Sequence, residues 1–406
     1  MRIGLFGIYG VYNFGCEAIV RGTSTFIKMH YPDCQVVYFS RNYAYDSQAL
    51  KDMDIEIIEI RSSNNLLKKI FNKVCSLFWI ESRMPAFEAK KVLNDVDALF
   101  FIGGDIFTIP AILRENAKYP YVNELVEFGK RVVKRNIPII LYGASVGPFG
   151  EYEKAVSYYK NALQKYRKIV CRETVTMAYL KSFGLDNVVF SPDPAFLVNG
   201  KRNKNAVQYK KEYIGINLSP LSLNELYSNG ADQIVRMKNL LLKIYGEFKE
   251  EILLLPHVVS EDENDNDYIF MKSLVNSMTS EEQEHFHIAE YKDGFLEIKE
   301  QLYNCKMVVS ARMHCAINAM HEGIPTILLS YSQKSIGMCK YVYGIDKWVL
   351  PIKGMEEKLL PAMKDMMLQN ADIEEMLIHR NSEIQQYLLD NRNVIKKSFG
   401  ELSGDA

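Results

Sequence analysis

The residues best suited to chemistry lie in VVSARMHCAINAMHEGIPTI, which begins at Val308 and joins an apolar run to a helical pattern. Arg312 and His314 stand where the run ends and the helix starts. A guanidinium presents a fixed fork of donors that matches a carboxylate or phosphate. An imidazole is the side chain that exchanges protons near neutral pH. A histidine buried for packing is the plain alternative, but an arginine two residues earlier, at a helix N-terminus that itself favours anions, points to a site. Asn318, His321 and Glu322 share the helix before Gly323 and Pro325 end it. The next apolar run delivers Tyr331, Gln333 and Lys334, which puts a second cation at the same edge.

Five further strand ends carry small or charged residues. After the first run come Asn13, Gly15, Cys16 and Glu17, where glycine admits close approach of backbone amides and a helix begins. The spacing does not match the dinucleotide fingerprint, so no nicotinamide cofactor is expected. ALFFIG ends in Gly103, Gly104 and Asp105, and IILYG leads to Ser145 and Gly147. Such loops are either tight turns or amide cradles for anions. The apolar run ending at Cys171 is followed by Arg172 and Glu173, either an ion pair fixing a helix start or a ligand-facing cation. Asp193 is held rigidly between Pro192 and Pro194.

The elements that must position these groups are legible from short continuous apolar runs at 3–6, 36–39, 98–102, 137–142 and 188–190, then at 213–217, 252–255, 307–309 and 326–329. Runs without alternation suit strands covered on both faces, as in parallel sheets. Helical patterns lie between them, at 17–30, 121–135, 152–166, 232–250 and 314–322, so the chain reads as α/β with doubly wound sheets. The polar, basic stretch 199–211 is the expected linker. It separates a Rossmann-like domain at 1–198 from a second at 212–370, with the two expected to face a cleft. A charged helical segment covers 371–406. At 65–80 (NLLKKIFNKVCSLFWI) lysines interleave a Leu, Ile, Phe and Trp stripe. That stretch is expected either to pack its apolar face on the domain or to lie on a membrane surface.

Bulk numbers narrow the class. With 406 residues and 48% hydrophobic content the chain has enough material for two cores. A net charge of -1 lacks the footprint of a nucleic-acid binder, so no nucleic-acid partner is expected. Seven scattered cysteines without a C-x-x-C pair fit a reduced compartment and no metal site. The opening MRIGLFGIYG carries no leader pattern, and no apolar run reaches the length of a membrane span. A cytoplasmic enzyme is expected, with peripheral contact at the inner face of the membrane as the variant.

Taken in order, NFGCEAI, FIGGD, GASVGPF, CRET with SPDPAF, and SARMHCAINAMHEGIPTI with YSQK resemble the polysaccharide pyruvyl transferase family across most of the chain. The resemblance implies a GT-B-like pair of Rossmann-like domains, with the acceptor on the first and the donor on the second. It implies transfer of pyruvate from phosphoenolpyruvate to two sugar hydroxyls, in a cell-surface polysaccharide such as capsule or exopolysaccharide or in its lipid-linked precursor, as a cyclic ketal. Arg312 and His314 match the family's Arg-x-His element, and Arg172 with Glu173 its Arg-acid element. His314 and Arg312 are accordingly the expected catalytic residues. Arg172, Lys334, Asn13, Glu17, Gly104, Asp105, Ser145, Asp193 and Glu322 are the expected substrate-binding ones. The first loop departs from relatives, which often carry Gly-Asp where this chain has Gly15 and Cys16. The rival reading is a GT-B glycosyltransferase using a nucleotide sugar, since the helix ending in His321 and Glu322 also resembles the nucleotide-facing segment of those enzymes. A third is a non-catalytic sugar binder.

Overall fold

The computed structural model describes residues 1–104, 106–114, 118–200, 211–224, 226, 230–330 and 333–391. Asp105, Tyr331, linker positions 201–210 and the segment after 391 lie outside the described residues, as does the side chain of Lys334.

Thirteen strands are described, in two sheets. The first contains β1 (Arg2–Phe6), β2 (Gln35–Ser40), β3 (Glu56–Glu59), β4 (Ala98–Ile102), β5 (Ile139–Ala144), β6 (Lys168–Cys171) and β7 (Val188–Phe190). Its order is β3-β2-β1-β4-β5-β6-β7, and every pairing is parallel. The second contains β8 (Tyr213–Asn217), β9 (Glu251–Leu254), β10 (Phe286–Ile288), β11 (Cys305–Ser310), β12 (Thr326–Ser330) and β13 (Val349–Pro351). These run β10-β9-β8-β11-β12-β13, again all parallel. Both are doubly wound Rossmann-like sheets in which strand order reverses beside the first strand, at β1/β4 and at β8/β11. Continuous apolar strands fill both cores. In the first, Phe6, Phe87, Phe101 and Phe128 pack ring to ring at 5.0 to 6.3 Å, and in the second Ile214, Ile252, Val308 and Ile327 are fully buried.

By contacts the chain forms two compact units. The first takes Met1–Val11, Ile19–Pro194 and the chain from 387. The second takes Tyr12–Ala18 and Ala195–Gln386. The stretch holding Asn13, Gly15 and Glu17, although it comes after β1 in sequence, is therefore part of the second unit.

The 65–80 stretch corrects one expectation. Its helix, Leu66–Leu77, does not pack its apolar face on the domain. Of its residues Cys75 is buried, whereas Leu66, Leu67, Ile70, Val74 and Leu77 are exposed. No described helix is long and apolar enough to cross a membrane.

Candidate functional site

In the second unit the switch point between β8 and β11 gathers polar side chains at the carboxyl ends of both strands. Asn217, the last residue of β8, donates to Leu255 O (2.8 Å) and accepts from the Arg312 backbone N–H (2.9 Å). This tie fixes the residue that precedes the helix Met313–His321 and so sets where His314 enters the site. Asp267 is fully buried, and its Oδ2 accepts from the amides of His257 (3.0 Å) and Val258 (3.1 Å). Its Oδ1 accepts from Arg312 Nη2 (2.8 Å) and Nε (3.3 Å), while Asp265 takes Nη2 at 2.5 Å. Burial opposes the charge on Arg312, but Asp267 and Asp265 outweigh it and hold the guanidinium protonated. Two carboxylates thus occupy two of its three nitrogens and neutralise it before any ligand arrives. Its geometry is that of a residue fixing the helix start, with Nη1 left over among the described residues.

The segment from the other end of the sequence completes this site. Val259 donates to Tyr12 O and Phe14 donates to His257 O, both at 3.0 Å, so the chain entering the helix Phe14–His30 lies along 257–259. Asn13 Oδ1 accepts from the amides of Gly15 (3.0 Å) and Cys16 (3.4 Å), capping that helix. Gly15 lies directly against the imidazole of His314: a Cβ placed there would be 2.5 Å from Nδ1 and 2.8 Å from Cγ. Glu17 is fully buried and accepts from the Phe295 amide (3.0 Å), which caps the helix Phe295–Leu302. Gly294, at φ 69°, admits that carboxylate, since a Cβ would come within 2.8 Å of Oε2. Asn13 and Glu17, both expected to face substrate, thus commit carboxyl or amide oxygens to helix termini.

Sequence reasoning misses one neighbour. His257 is 1% exposed, its ring edge-on to Phe14 at 5.8 Å, and among the described residues neither ring nitrogen has a hydrogen-bond partner. Burial first, then His314, Arg312 and Lys299, pushes its pKa well down and keeps it neutral. Coming after the apolar run LLLP, it offers no sequence signal beyond being a histidine at a strand end.

Glu322 lies at the opposite end of the His314 helix, about 12 Å along its axis at 1.5 Å per residue. There Lys299, fully buried, pairs with Glu322 Oε1 at 2.8 Å. His321 Nε2 lies 3.0 Å from the Gln385 side-chain nitrogen, and its Nδ1 lies 2.9 Å from both Glu322 Oε1 and Lys299 Nζ. Burial would raise the Glu322 pKa, but Lys299 and His321 outweigh it and hold the carboxyl well below its ordinary range. The structure does not bring Glu322 to His314.

The first unit has its own cluster, at the carboxyl ends of β4 to β7. Arg172, with a side chain 3% exposed, pairs with the buried Asp193 at 3.0 Å and donates from Nε to Ser145 Oγ at 3.3 Å. Ser145 N–H donates to Gly104 O (2.9 Å), and a Cβ on Gly104 would be 3.7 Å from Arg172 Nη2. Arg172, Asp193, Ser145 and Gly104 therefore converge. Glu173 turns instead to Thr176, whose amide (3.0 Å) and hydroxyl (2.5 Å) it accepts, so the ion pair is Arg172 with Asp193 and not with Glu173. Among the described residues no group of three or more His, Cys, Asp or Glu side chains is arranged to hold a metal ion.

The family described as polysaccharide pyruvyl transferase matches residues 13–333. The amylovoran biosynthesis protein AmsJ of Erwinia amylovora is 21% identical, over 98% of this chain and all of its own. Among solved structures, Anabaena HepE in complex with UDP and glucose superposes with a TM-score of 0.58 at 10% identity, covering 99% of each chain. UDP-GlcNAc 2-epimerase of Neisseria meningitidis, bound to UDP-GlcNAc, gives 0.56 at 11% identity over 96% of this chain and all of its own. At such identities these two likenesses describe the GT-B fold alone. The family match spans most of the chain and takes in both clusters, and the chain belongs to the polysaccharide pyruvyl transferase family, transferases of polysaccharide biosynthesis.

Proposed function

We propose that the chain transfers the pyruvyl group of phosphoenolpyruvate to two hydroxyls of a sugar and forms a cyclic ketal. The observation that carries this reading is His314, at the first turn of a helix on the β8/β11 switch point, with Gly15 against its ring. The reaction needs one acid/base at the enol carbon. Protonating the methylene carbon makes C2 electrophilic, the first hydroxyl adds there, phosphate departs, and the second hydroxyl adds in its place. One hydroxyl proton ends on the new methyl group and the other on phosphate. His314 is the proposed proton carrier between the hydroxyls and the enol carbon.

The donor carries two anionic groups, so the site needs cations and amides. Arg312 Nη1, Lys334 and the N-terminus of the helix Met313–His321 are the proposed donor ligands. Arg172, with Ser145 and Asp193, is the proposed binding cluster of the first unit. Asn13 and Glu17 serve this reading as supports of the His314 pocket, and Glu322 as a support of its helix.

Phosphate release from phosphoenolpyruvate, measured against a panel of free and lipid-linked sugars, tests the proposal. Acceptor-dependent release, lost about 10²–10⁴-fold in His314→Gln, is the expected result. No release with any acceptor, together with tight binding of a nucleoside diphosphate, would transfer the site to the nucleotide-sugar reading.

A further inference from the structure

The helix Leu66–Leu77 is attached to its unit by the wrong side. Successive residues turn about 100° around a helix axis. On that wheel Leu66, Leu77, Ile70, Val74 and Leu67 fall within an arc of about 100°. All five are exposed, Leu66, Leu67 and Leu77 at 68%, 76% and 72%. The roughly opposite arc makes the attachment. Lys68 donates to Pro85 O (3.1 Å), Asn72 exchanges hydrogen bonds with Met84 N (2.7 Å) and O (2.9 Å), and Cys75 is buried. A helix held to its protein by polar groups, one buried thiol and the half-buried Phe71, with all three of its leucines turned to solvent, departs from an ordinary surface helix.

The residues just beyond the helix continue the pattern. Phe78, Trp79 and Ile80 are exposed as well. Trp79 adopts φ 56° at the helix C-terminus, a position that ordinarily takes glycine. The indole nevertheless stays 43% exposed, and Lys118 stands over it at 4.0 Å. The charge is one-sided. The helix contains Lys68, Lys69 and Lys73 and no acid, and among the described residues Lys69 and Lys73 enter no ion pair. Both lie on one flank of the apolar arc. The next acid along the chain, Glu81, is engaged by the Tyr121 hydroxyl.

We infer that Leu66–Leu77 with Phe78 and Trp79 is a docking face for an anionic lipid bilayer, lying in the headgroup plane. An apolar arc enters the acyl boundary by about 5–10 Å, flanking lysines meet anionic headgroups, and aromatic rings stay at the interface. Unpaired lysines beside the arc are what selects a negatively charged surface over a neutral apolar partner.

Co-sedimentation of the full-length protein with vesicles tests this inference independently of the transfer reaction. At about 0.1 M salt, where the Debye length is about 10 Å, the protein sediments with phosphatidylcholine–phosphatidylglycerol vesicles. It does so about tenfold less with phosphatidylcholine alone. Ile70→Glu with Leu77→Glu, both at exposed positions, lowers partition at least about tenfold with an unchanged thermal melt. Lys69→Gln with Lys73→Gln lowers it on the anionic vesicles only. Absence of binding to either vesicle, or undiminished binding by the double glutamate variant, overturns the inference. So does a concentration-dependent dimer in ultracentrifugation that the same variant abolishes, since the face would then belong to a second copy of the chain.

Discussion

At the scale of single residues the site depends on what is missing from Gly15. With Nδ1 of His314 only 2.5 Å from where a Cβ would be, alanine there must push the imidazole aside. A displacement near 1 Å of a catalytic group costs about 10²-fold. Gly15→Ala is therefore expected to lose about that much phosphate-release rate while its circular-dichroism melt stays close to wild type. A wild-type rate in that variant would mean that the ring's orientation does not matter. The charged residues teach a related lesson about reading sequence. Arg312 and Arg172 are visible as cations at strand ends, but their partners are not. Asp265 and Asp267 reach Arg312 from more than forty positions away, and Asp193 reaches Arg172 because β6 and β7 are neighbours in the sheet. Glu173, adjacent in sequence, caps a helix instead.

At the scale of elements, helix termini explain why Asn13 and Glu17 are polar. Glu17→Ala leaves the Phe295 amide without its acceptor and removes an anion from a helix N-terminus. Together these are expected to cost about 1–2 kcal/mol in urea denaturation. Gly294→Ala should be far more harmful with Glu17 present than in the Glu17→Ala background, because the carboxylate is what its Cβ would strike. The far end of the His314 helix gives a pH-dependent counterpart. Unfolded glutamate binds its proton near pH 4.3, about its reference value, whereas folded Glu322 does so lower. Between those points the unfolded state holds the extra proton, so stability present above the reference pKa is lost as pH falls. Glu322→Gln should flatten that acid limb and, by leaving buried Lys299 unneutralised, cost about 3–5 kcal/mol at neutral pH. Denaturation midpoints across pH measure both effects. Elements also mark the limit of legibility. Interior strands such as β4 (ALFFI), covered on both faces, are readable as apolar runs. The unread strands are β3 (EIIE), β10 (FHI) and β13 (VLP), all at sheet edges, short and partly exposed, so no continuous apolar pattern is required of them.

At the scale of the whole molecule the chain does not hand one unit to each half of its sequence. Tyr12–Ala18 belongs to the second unit and Ile19 onward to the first, so the helix Phe14–His30 has residues in both. The same holds for Asn370–Asp390, which passes from one unit to the other between Gln386 and Tyr387. Sequence alone, which shows one basic linker at 199–211, gives no sign of either crossing, because helical periodicity does not reveal which core a helix turn serves. The consequence is thermodynamic. Two separate cores would ordinarily allow two unfolding transitions, but melting either unit here frays helices that the other uses. A single transition is expected, and the chain provides its own reporters. It has two tryptophans, exposed Trp79 in the first unit and Trp348, 2% exposed, in the second. Trp79→Phe and Trp348→Phe leave one fluorophore in each unit, and their urea midpoints should coincide. Adding Glu322→Gln, a change confined to the second unit, should then lower the Trp79 midpoint by as much as the Trp348 midpoint. Separate midpoints, with Trp79 unmoved, would show that the shared helices do not couple the units.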